Sequence, residues 1–566
     1  MNTKKTLLAL CAALLCLMSC GRFGQPSDEE SATPVEWRGM MIDCSRHFWP
    51  MDVLRRQIDL MGRYGLNVLH LHLTDAAGWR LEIRKYPRLT EVGAWRTHET
   101  WKDWWAARPK ASDGGKGVEW FAPAYADSIT GFGGYYTQDE MRELVQYAAE
   151  RGVTIVPEIE FPAHSEEVVA AYPWLGYSHN EMDMSKDSTY VFMADVLAEV
   201  ADIFPGPYIH VGGDESETQK GLHPEAMRRL QTIVESLGRR MIVWDEGLTD
   251  EPADSGQVIM VWRNIDTATK AIRLGHEVVM CPGNWCYLDS YQDCPTGQPE
   301  TMGGYRSLEH CYSLPLDSAL AAQAEGHGRL LGLQTCLFAE YVPTTEVLEY
   351  QLWPRALMVA ERGLGRNRAY EEFRRWAMNV TDSMRREGIN AFDLRHEVGQ
   401  RPESLEPVEH LALGANVAYA NSYSSYYQAG RDTALVDGLQ GTWNNNDGLW
   451  QGFCSDIDFT IDLGTEREVS SVEMAFMQIT GPDIFLPATV EVALLGKEDP
   501  ADLASSRFMA APVCTVAMPD SLADTPYVIH PYVATFSPAR RAGRIHVTAR
   551  RRPNTGWLFV DEVVVK

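Results

Sequence analysis

Basic residues are scarce in this 566-residue chain: 51 Lys plus Arg face 78 Asp plus Glu, a formal charge of −27. A nonspecific nucleic-acid binder needs an electropositive face, so that class is excluded and no nucleic-acid partner is expected. Long apolar runs are missing too. Past Met18 nothing uninterrupted approaches the ~20 apolar residues of a membrane-spanning helix. Cysteine is sparse, 11 in all, and the close set Cys281, Cys286, Cys294 and Cys311 lacks zinc-ribbon spacing. No Gly-rich nucleotide fingerprint follows any strand-like run, which argues against a doubly wound dinucleotide fold. What is present, 45% hydrophobic and 23% charged residues with 45 Gly and 30 Pro, is the make-up of a folded protein of more than one domain.

Lys4 and Lys5 precede an apolar run from Leu7 to Met18, too short for an ordinary membrane span. It ends in Leu17-Met18-Ser19-Cys20, which resembles a bacterial lipoprotein box. The resemblance implies a signal peptide over residues 1–19, cleavage before Cys20 and acylation of its thiol. The protein is then exported and anchored to a membrane by lipid, at the periplasmic face or the cell surface. A plain secretory signal is the alternative. Residues 20–36 read as a flexible tether, and export permits disulfides, whose pairing the spacing leaves open.

From residue 37 to 396 strand-like runs alternate with helical patterns. The runs are Trp37–Ile42, Val68–Leu73, Thr154–Ile159, Tyr208–Val211, Met241–Trp244, Val258–Trp262, Val278–Cys281 and Leu330–Phe338. Leu54, Ile58 and Met61 line one face of a helix that stops at Gly65. Thr137 with Glu140 is a capping-box start for another. Eight strands alternating with helices predict a parallel (β/α)8 TIM barrel, in the α/β class. In such a barrel chemistry belongs at the C-terminal ends of strands. There the sequence places His70 and His72 ahead of Thr74-Asp75, then Glu158-Ile159-Glu160 with His164, Asp214-Glu215, Trp244-Asp245-Glu246, Trp262-Arg263 and Glu340. Taken singly these are solvated turns, satisfied core histidines or core aromatics. Together they predict a rim of carboxylates, imidazoles and indoles, the composition of a sugar pocket, because buried ionisable groups need partners.

The stretch Arg38-Gly39-Met40 to Asp43, Arg46-His47-Phe48, His70-Leu71-His72-Leu73-Thr74-Asp75 and Gly78-Trp79-Arg80 resembles the opening of glycoside hydrolase family 20, the β-N-acetylhexosaminidases. Pro157-Glu158-Ile159-Glu160 with Pro162-Ala163-His164 is similar to the next motif of that family. His210-Val211-Gly212-Gly213-Asp214-Glu215 is similar to its signature, and Tyr287-Leu288-Asp289, Pro354-Arg355-Ala356 and Ala360-Glu361-Arg362 follow in order.

The resemblance implies an exo-acting, retaining enzyme that releases terminal β-linked GlcNAc or GalNAc from a glycan partner. No cofactor or metal is expected. Adjacent acids cannot flank a sugar as the usual opposed pair, and in this family the substrate's own 2-acetamido oxygen attacks instead. By resemblance Glu215 is the general acid and then the base, and is expected to carry a raised pKa. Asp214 accepts the acetamide N–H and stabilises the oxazolinium-like intermediate, and Tyr287 aims the acetamide oxygen. Asp75 and His164 steady the acid/base. Arg38 is expected at O3 and O4, Asp289 and Glu340 at O4 and O6, and Trp244, Trp262 and Phe338 as walls.

This chain departs from the pattern in several places. Ala76-Ala77 stands for Asp-Gln, Glu160 for Asp and Phe338 for Trp, and between Cys20 and Arg38 there is no room for the small α/β domain that often precedes the barrel. Alternatives are a carbohydrate-binding protein on an inactive barrel, a hydrolase using two protein carboxylates, and a related specificity such as a lacto-N-biosidase.

Residues 397–410 are Pro- and Glu-rich and read as a linker. Beyond them short alternating runs, Asp458–Leu463, Val469–Met477, Thr489–Leu495, Arg544–Ala549 and Trp557–Val564, predict an all-β sandwich over 411–566. Trp450-Gln451-Gly452-Phe453, Asp458 to Gly464 and Trp557 to Glu562 resemble a discoidin-like, galactose-binding-like module.

Overall fold

A computed structural model of the chain describes residues 34–566 except 77, 108–124, 127, 217, 250–255, 498–511 and 554. The expected signal peptide, Cys20 and most of the expected tether lie outside the described residues. Among the rest, each of the eight expected strands is present: β1 (Trp37–Asp43), β2 (Val68–His72), β3 (Thr154–Phe161), β4 (Tyr208–Gly212), β5 (Arg240–Trp244), β6 (Val258–Val261), β7 (Glu277–Met280) and β8 (Arg329–Leu337). They close in sequence order into a parallel barrel, β8 pairing β1 from Trp37↔Gly332 to Ile42↔Leu337. Parallel strands under a helical coat are buried on both faces. Met40, Met41, Leu69, Leu71, Val243, Ile259 and Val279 are accordingly buried.

The first helix, Met51–Tyr64, packs Leu54, Ile58 and Met61 inward and ends at Gly65, whose φ of 93° lets its N–H reach the Met61 carbonyl. The capping box of Thr137 and Glu140 opens the helix Gln138–Ala149. Eight described cysteines are free, Cys281, Cys286 and Cys311 buried among them.

Among the described residues the C-terminal domain is one seven-stranded antiparallel sheet. Its two longest strands are Ile457–Ile479, which joins two runs the sequence reads apart, and Tyr527–Arg550, of which the sequence reading marks only Arg544–Ala549. The polar segment Gly464–Glu468 looks like a turn, yet the ladder only shifts register there, between Asp462 and Arg467 and again between Val469 and Ser471. Residues 397–410 are pinned rather than loose. Asp293 accepts the N–H groups of Val398 and Gly399, and Arg401 bonds the Gly441 carbonyl and Asp561. The loop after Tyr287 joins the two parts: Tyr291 packs with Trp450, Met477, Ile479 and Tyr527. In the same loop the Gly304 N–H donates to Asn445 Oδ1 at 3.2 Å.

Candidate functional site

Every strand end named from the sequence contributes to one rim. Asp43, at the end of β1, accepts the N–H groups of Ser45 and Arg46 with one oxygen and that of Ala339 with the other, tying β1 to β8. Arg80, wholly buried, donates to the carbonyls of Cys44, Ser45, Ala94 and Gly134 and fixes the loop that carries Arg46. Arg46 then points inward. Its guanidinium lies 2.6 Å from Asp75, 3.3 Å from Asp43 and 3.6 Å from Glu340, and over the Phe338 ring. Burial raises the cost of ionising Asp75, but Arg46 and His164 override it and hold the carboxyl below its usual range.

At the end of β4, Gly212 and Gly213 take φ of 68° and 94°. A side chain at Gly212 would put its Cβ 1.9 Å from Glu160 Oε2, so only glycine fits there. This turn presents Asp214 and Glu215, the latter at φ 47°, strained for a non-glycine residue. His164, from the end of β3, bonds Asp75 at 3.1 Å through Nδ1 and reaches Glu215 at 3.4 Å and Asp214 at 3.7 Å through Nε2. The structure thus brings together Asp75, His164, Asp214 and Glu215.

Tyr287 and Asp289 enter from the segment after β7, which is stitched to β8 where the Leu288 N–H meets the Cys336 carbonyl. Trp262 lies parallel to Tyr287 at 6.2 Å, Phe338 packs on Tyr287 at 5.1 Å, and the Trp262 Nε1–H donates to Glu246. Trp244 is only 2% exposed and packs on His210 and His70, beneath the rim.

The charge states follow from burial. It pushes Asp214 up to about 6, Glu246 up to about 7 and Glu340 up to about 7, and it raises Asp289. Tyr287 also rises, through burial first and then neighbouring thiols and carboxylates, Asp214 among them. Asp214 Oδ1, Asp289 Oδ1 and Glu340 Oε2 are buried with no hydrogen-bonding partner among the described residues. Buried acceptors are normally satisfied. Three that converge beside aromatic rings mark where the N–H and O–H groups of a ligand belong.

Two expectations are corrected. Arg38 does not reach the rim: it stands at the start of β1, the opposite end of the barrel, and its side chain donates to the Gly65 and Val35 carbonyls at 2.7 Å each. Arg46, past the end of the same strand, occupies the place assigned to Arg38. The rule that chemistry sits at C-terminal strand ends already distinguishes the two. Second, Glu215 is held below, not above, its ordinary value, because its hydrogen bond to His164 outweighs the opposing effect of its partial burial. Asp43, Arg46 and Arg80 stand in the sequence motifs without an assigned role, and Glu246, named there only as a rim carboxylate, meets Trp262.

Among the described residues His70, Glu158 and His210, and His72, Glu158 and Glu160, cluster like cation ligands. They do not fit a metal. The His210 Nδ1 lone pair already accepts the Gly212 N–H, and both His72 nitrogens are taken up by carboxylates, Nδ1 by Glu158 and Nε2 by Asp75.

Neighbouring carboxylates braced by a histidine–aspartate couple, at the mouth of a closed barrel with aromatic walls, define the class of barrel glycoside hydrolases. The comparison with known families is more specific: the catalytic domain of glycosyl hydrolase family 20 matches residues 35–221 and 216–364, and the chain belongs to that family. It is 37% identical over 360 residues to a β-hexosaminidase of Porphyromonas gingivalis, covering 57% of this chain and 42% of that one. It is 32% identical over 370 residues to a β-hexosaminidase of Vibrio furnissii, covering 59% and 57%. The chain thus spans about half the length of these curated relatives. Among solved structures, a family 20 exo-β-N-acetylglucosaminidase of Vibrio harveyi in complex with N-acetylglucosamine superposes with a TM-score of 0.53 at 27% identity, covering 64% of this chain and 60% of that one. The β-N-acetylhexosaminidase of Streptomyces coelicolor gives 0.53 at 28%, covering 65% and 72%.

Proposed function

We propose that the protein is an exo-acting, retaining β-N-acetylhexosaminidase that removes terminal β-linked GlcNAc or GalNAc by substrate-assisted catalysis. The observation that carries this reading is the adjacency of Asp214 and Glu215, one with a buried, unpartnered oxygen, the other held by His164. Two neighbouring acids cannot act from opposite faces of a sugar ring, so the nucleophile comes from the substrate. The Tyr287 hydroxyl donates to the acetamide oxygen and aims it at the anomeric carbon. Asp214 accepts the acetamide N–H and offsets the positive charge that develops on the ring formed by that attack. Glu215 gives its proton to the departing oxygen, then takes one from the water that opens the intermediate. Two inversions leave the configuration retained. Arg46, Asp289 and Glu340 close the cup around the far hydroxyls, which favours a terminal residue.

In the ligand-free state Glu215 is the more acidic of the pair and a shared proton rests on Asp214, whereas the competent form needs that proton on Glu215. A sugar seated against Glu215 displaces water and favours the neutral acid. The test compares aryl β-glycosides: cleavage of the 2-acetamido compound but not its 2-hydroxy counterpart supports the reading. The reverse preference supports two protein carboxylates, and binding without turnover an inactive barrel.

The lipid anchor at Cys20 and the discoidin-like character of the C-terminal sheet belong to the same proposal. They rest on Leu17-Met18-Ser19-Cys20 and on the motifs around Trp450 and Trp557. Labelled fatty acid incorporated by the native chain and lost in Cys20→Ser tests the anchor.

A further inference from the structure

Beneath the rim a second tier of polar residues continues inward from Asp75. Its Oδ1 faces His164, while its Oδ2 meets His72 Nε2 at 3.0 Å. The other nitrogen of His72, Nδ1, lies 2.5 Å from Glu158 Oε2. Glu158 is wholly buried in the barrel. His70 Nε2 and His210 Nδ1 also stand 3.0 Å from its two oxygens. His70 is oriented from behind by Gln334, which Trp37 fixes in turn. The charged groups facing His72 come from every neighbouring element: Asp43 and Arg46 from β1 and its loop, Asp75 after β2, and Glu158 and Glu160 from β3. Phe338, after β8, covers its ring edge-on.

An unbroken path therefore runs Glu158, His72, Asp75, His164, Glu215. Its inner members touch no surface a substrate can reach, yet a wholly buried carboxylate is costly unless something pairs it. His72 touches both Glu158 and Asp75, and it shares Asp75 Oδ2 with Arg46, whose Nη1 lies 3.2 Å from His72 Nε2.

We propose that His72 and Glu158 are positioning residues of the acid/base system: the pair fixes the orientation of Asp75, and through His164 it sets the aim and proton affinity of Glu215. The inference rests on the reading of Glu215 as acid/base. Glu158 without its charge no longer holds His72 as an imidazolium. Asp75 then loses a donor, and His164 is free to turn from Glu215.

The test uses the full chain, Glu158→Gln and the milder His72→Gln, with two 2-acetamido-β-glucosides. One carries a methyl leaving group that needs protonation, the other a dinitrophenyl group that leaves without it. We expect kcat/KM on the methyl glycoside to fall by about tenfold or more, with a much smaller loss on the dinitrophenyl compound and a displaced alkaline limb of the pH profile. Equal losses on both substrates with an unmoved limb would mean a structural role only and overturn the proposal. Should both variants fail to fold, the unaltered protein still decides. With nitrogen-15 histidine the proposal requires both His72 nitrogens protonated at pH 7, and a neutral ring refutes it. If the native chain cleaves neither glycoside, the acid/base reading itself has failed, a result separate from the histidine measurement.

Discussion

Two arginines eight residues apart on the first strand and its loop make opposite predictions. Arg46 is 7% exposed and its guanidinium serves Asp75, Asp43 and Glu340 at once. Arg46→Lys keeps the charge but not the fork, and a single ammonium cannot satisfy carboxylates on three sides. The loss is that of one charge-assisted hydrogen bond, about 1.5–3 kcal/mol, or about 10- to 100-fold in kcat/KM where the bound sugar shares the contact. Full truncation to Ala strands buried carboxylates and costs about 3–5 kcal/mol of stability as well. Arg38→Ala removes two hydrogen bonds to carbonyls at the far end of the barrel. It is expected to cost about 1–2 kcal/mol of stability while kcat/KM stays within about threefold. Steady-state kinetics on an aryl 2-acetamido-β-glucoside, with thermal unfolding of each variant, separates the two. A collapse of kcat/KM in Arg38→Ala at unchanged Tm, together with a silent Arg46→Lys, would refute the assignment.

Tyr287→Phe keeps the packing on Trp262 and Phe338 but loses the hydroxyl that orients the acetamide. kcat should fall by about 10- to 100-fold with little change in Tm, and an unchanged kcat would remove Tyr287 from the mechanism. Gly212→Ala forces a methyl onto Glu160 in a left-handed backbone, so a loss of about 2–4 kcal/mol in denaturant unfolding is expected; a neutral variant would contradict the close approach. Stability should also depend on pH at both ends. The depressed Asp75 contributes stability that is present above its unfolded value of about 3.9 and lost as pH falls. His72 is lowered by burial but raised more by Glu158 and Asp75, to about 10. Its contribution is full below about 6.5 and fades as pH rises through the folded value. Denaturant midpoints should therefore decline on both sides, and Asp75→Asn should flatten the acid side; an unchanged acid side would count against the Arg46–Asp75–His164 cluster.

The barrel was legible because each strand is a short apolar run bounded by turn residues. The strand-end rule also located Asp75, His164, Asp214, Glu215 and Glu340 without coordinates. What escaped depends on distances between strands. Arg38 and Arg46 carry the same side chain, and only their place along β1 decides which one meets Asp75. The acidity of Glu215 is set by His164 on another strand, so no local pattern announces it. In the C-terminal domain the charged segment Gly464–Glu468 has the composition of a turn, yet cross-strand pairing on Tyr527–Arg550 carries it through as one bent strand. The apparent linker hides its role likewise. Arg401 looks like a surface residue until Asp561, 160 positions later, closes on it.

The account stands on attack by the substrate's amide oxygen, and its nucleophilicity can be tuned without touching the protein. In aryl β-glucosides bearing acetyl, monofluoroacetyl, difluoroacetyl and trifluoroacetyl groups on the 2-amine, kcat/KM should fall stepwise as fluorine withdraws electrons from that oxygen. A series in which kcat/KM stays level would place the nucleophile on the protein and contradict the mechanism.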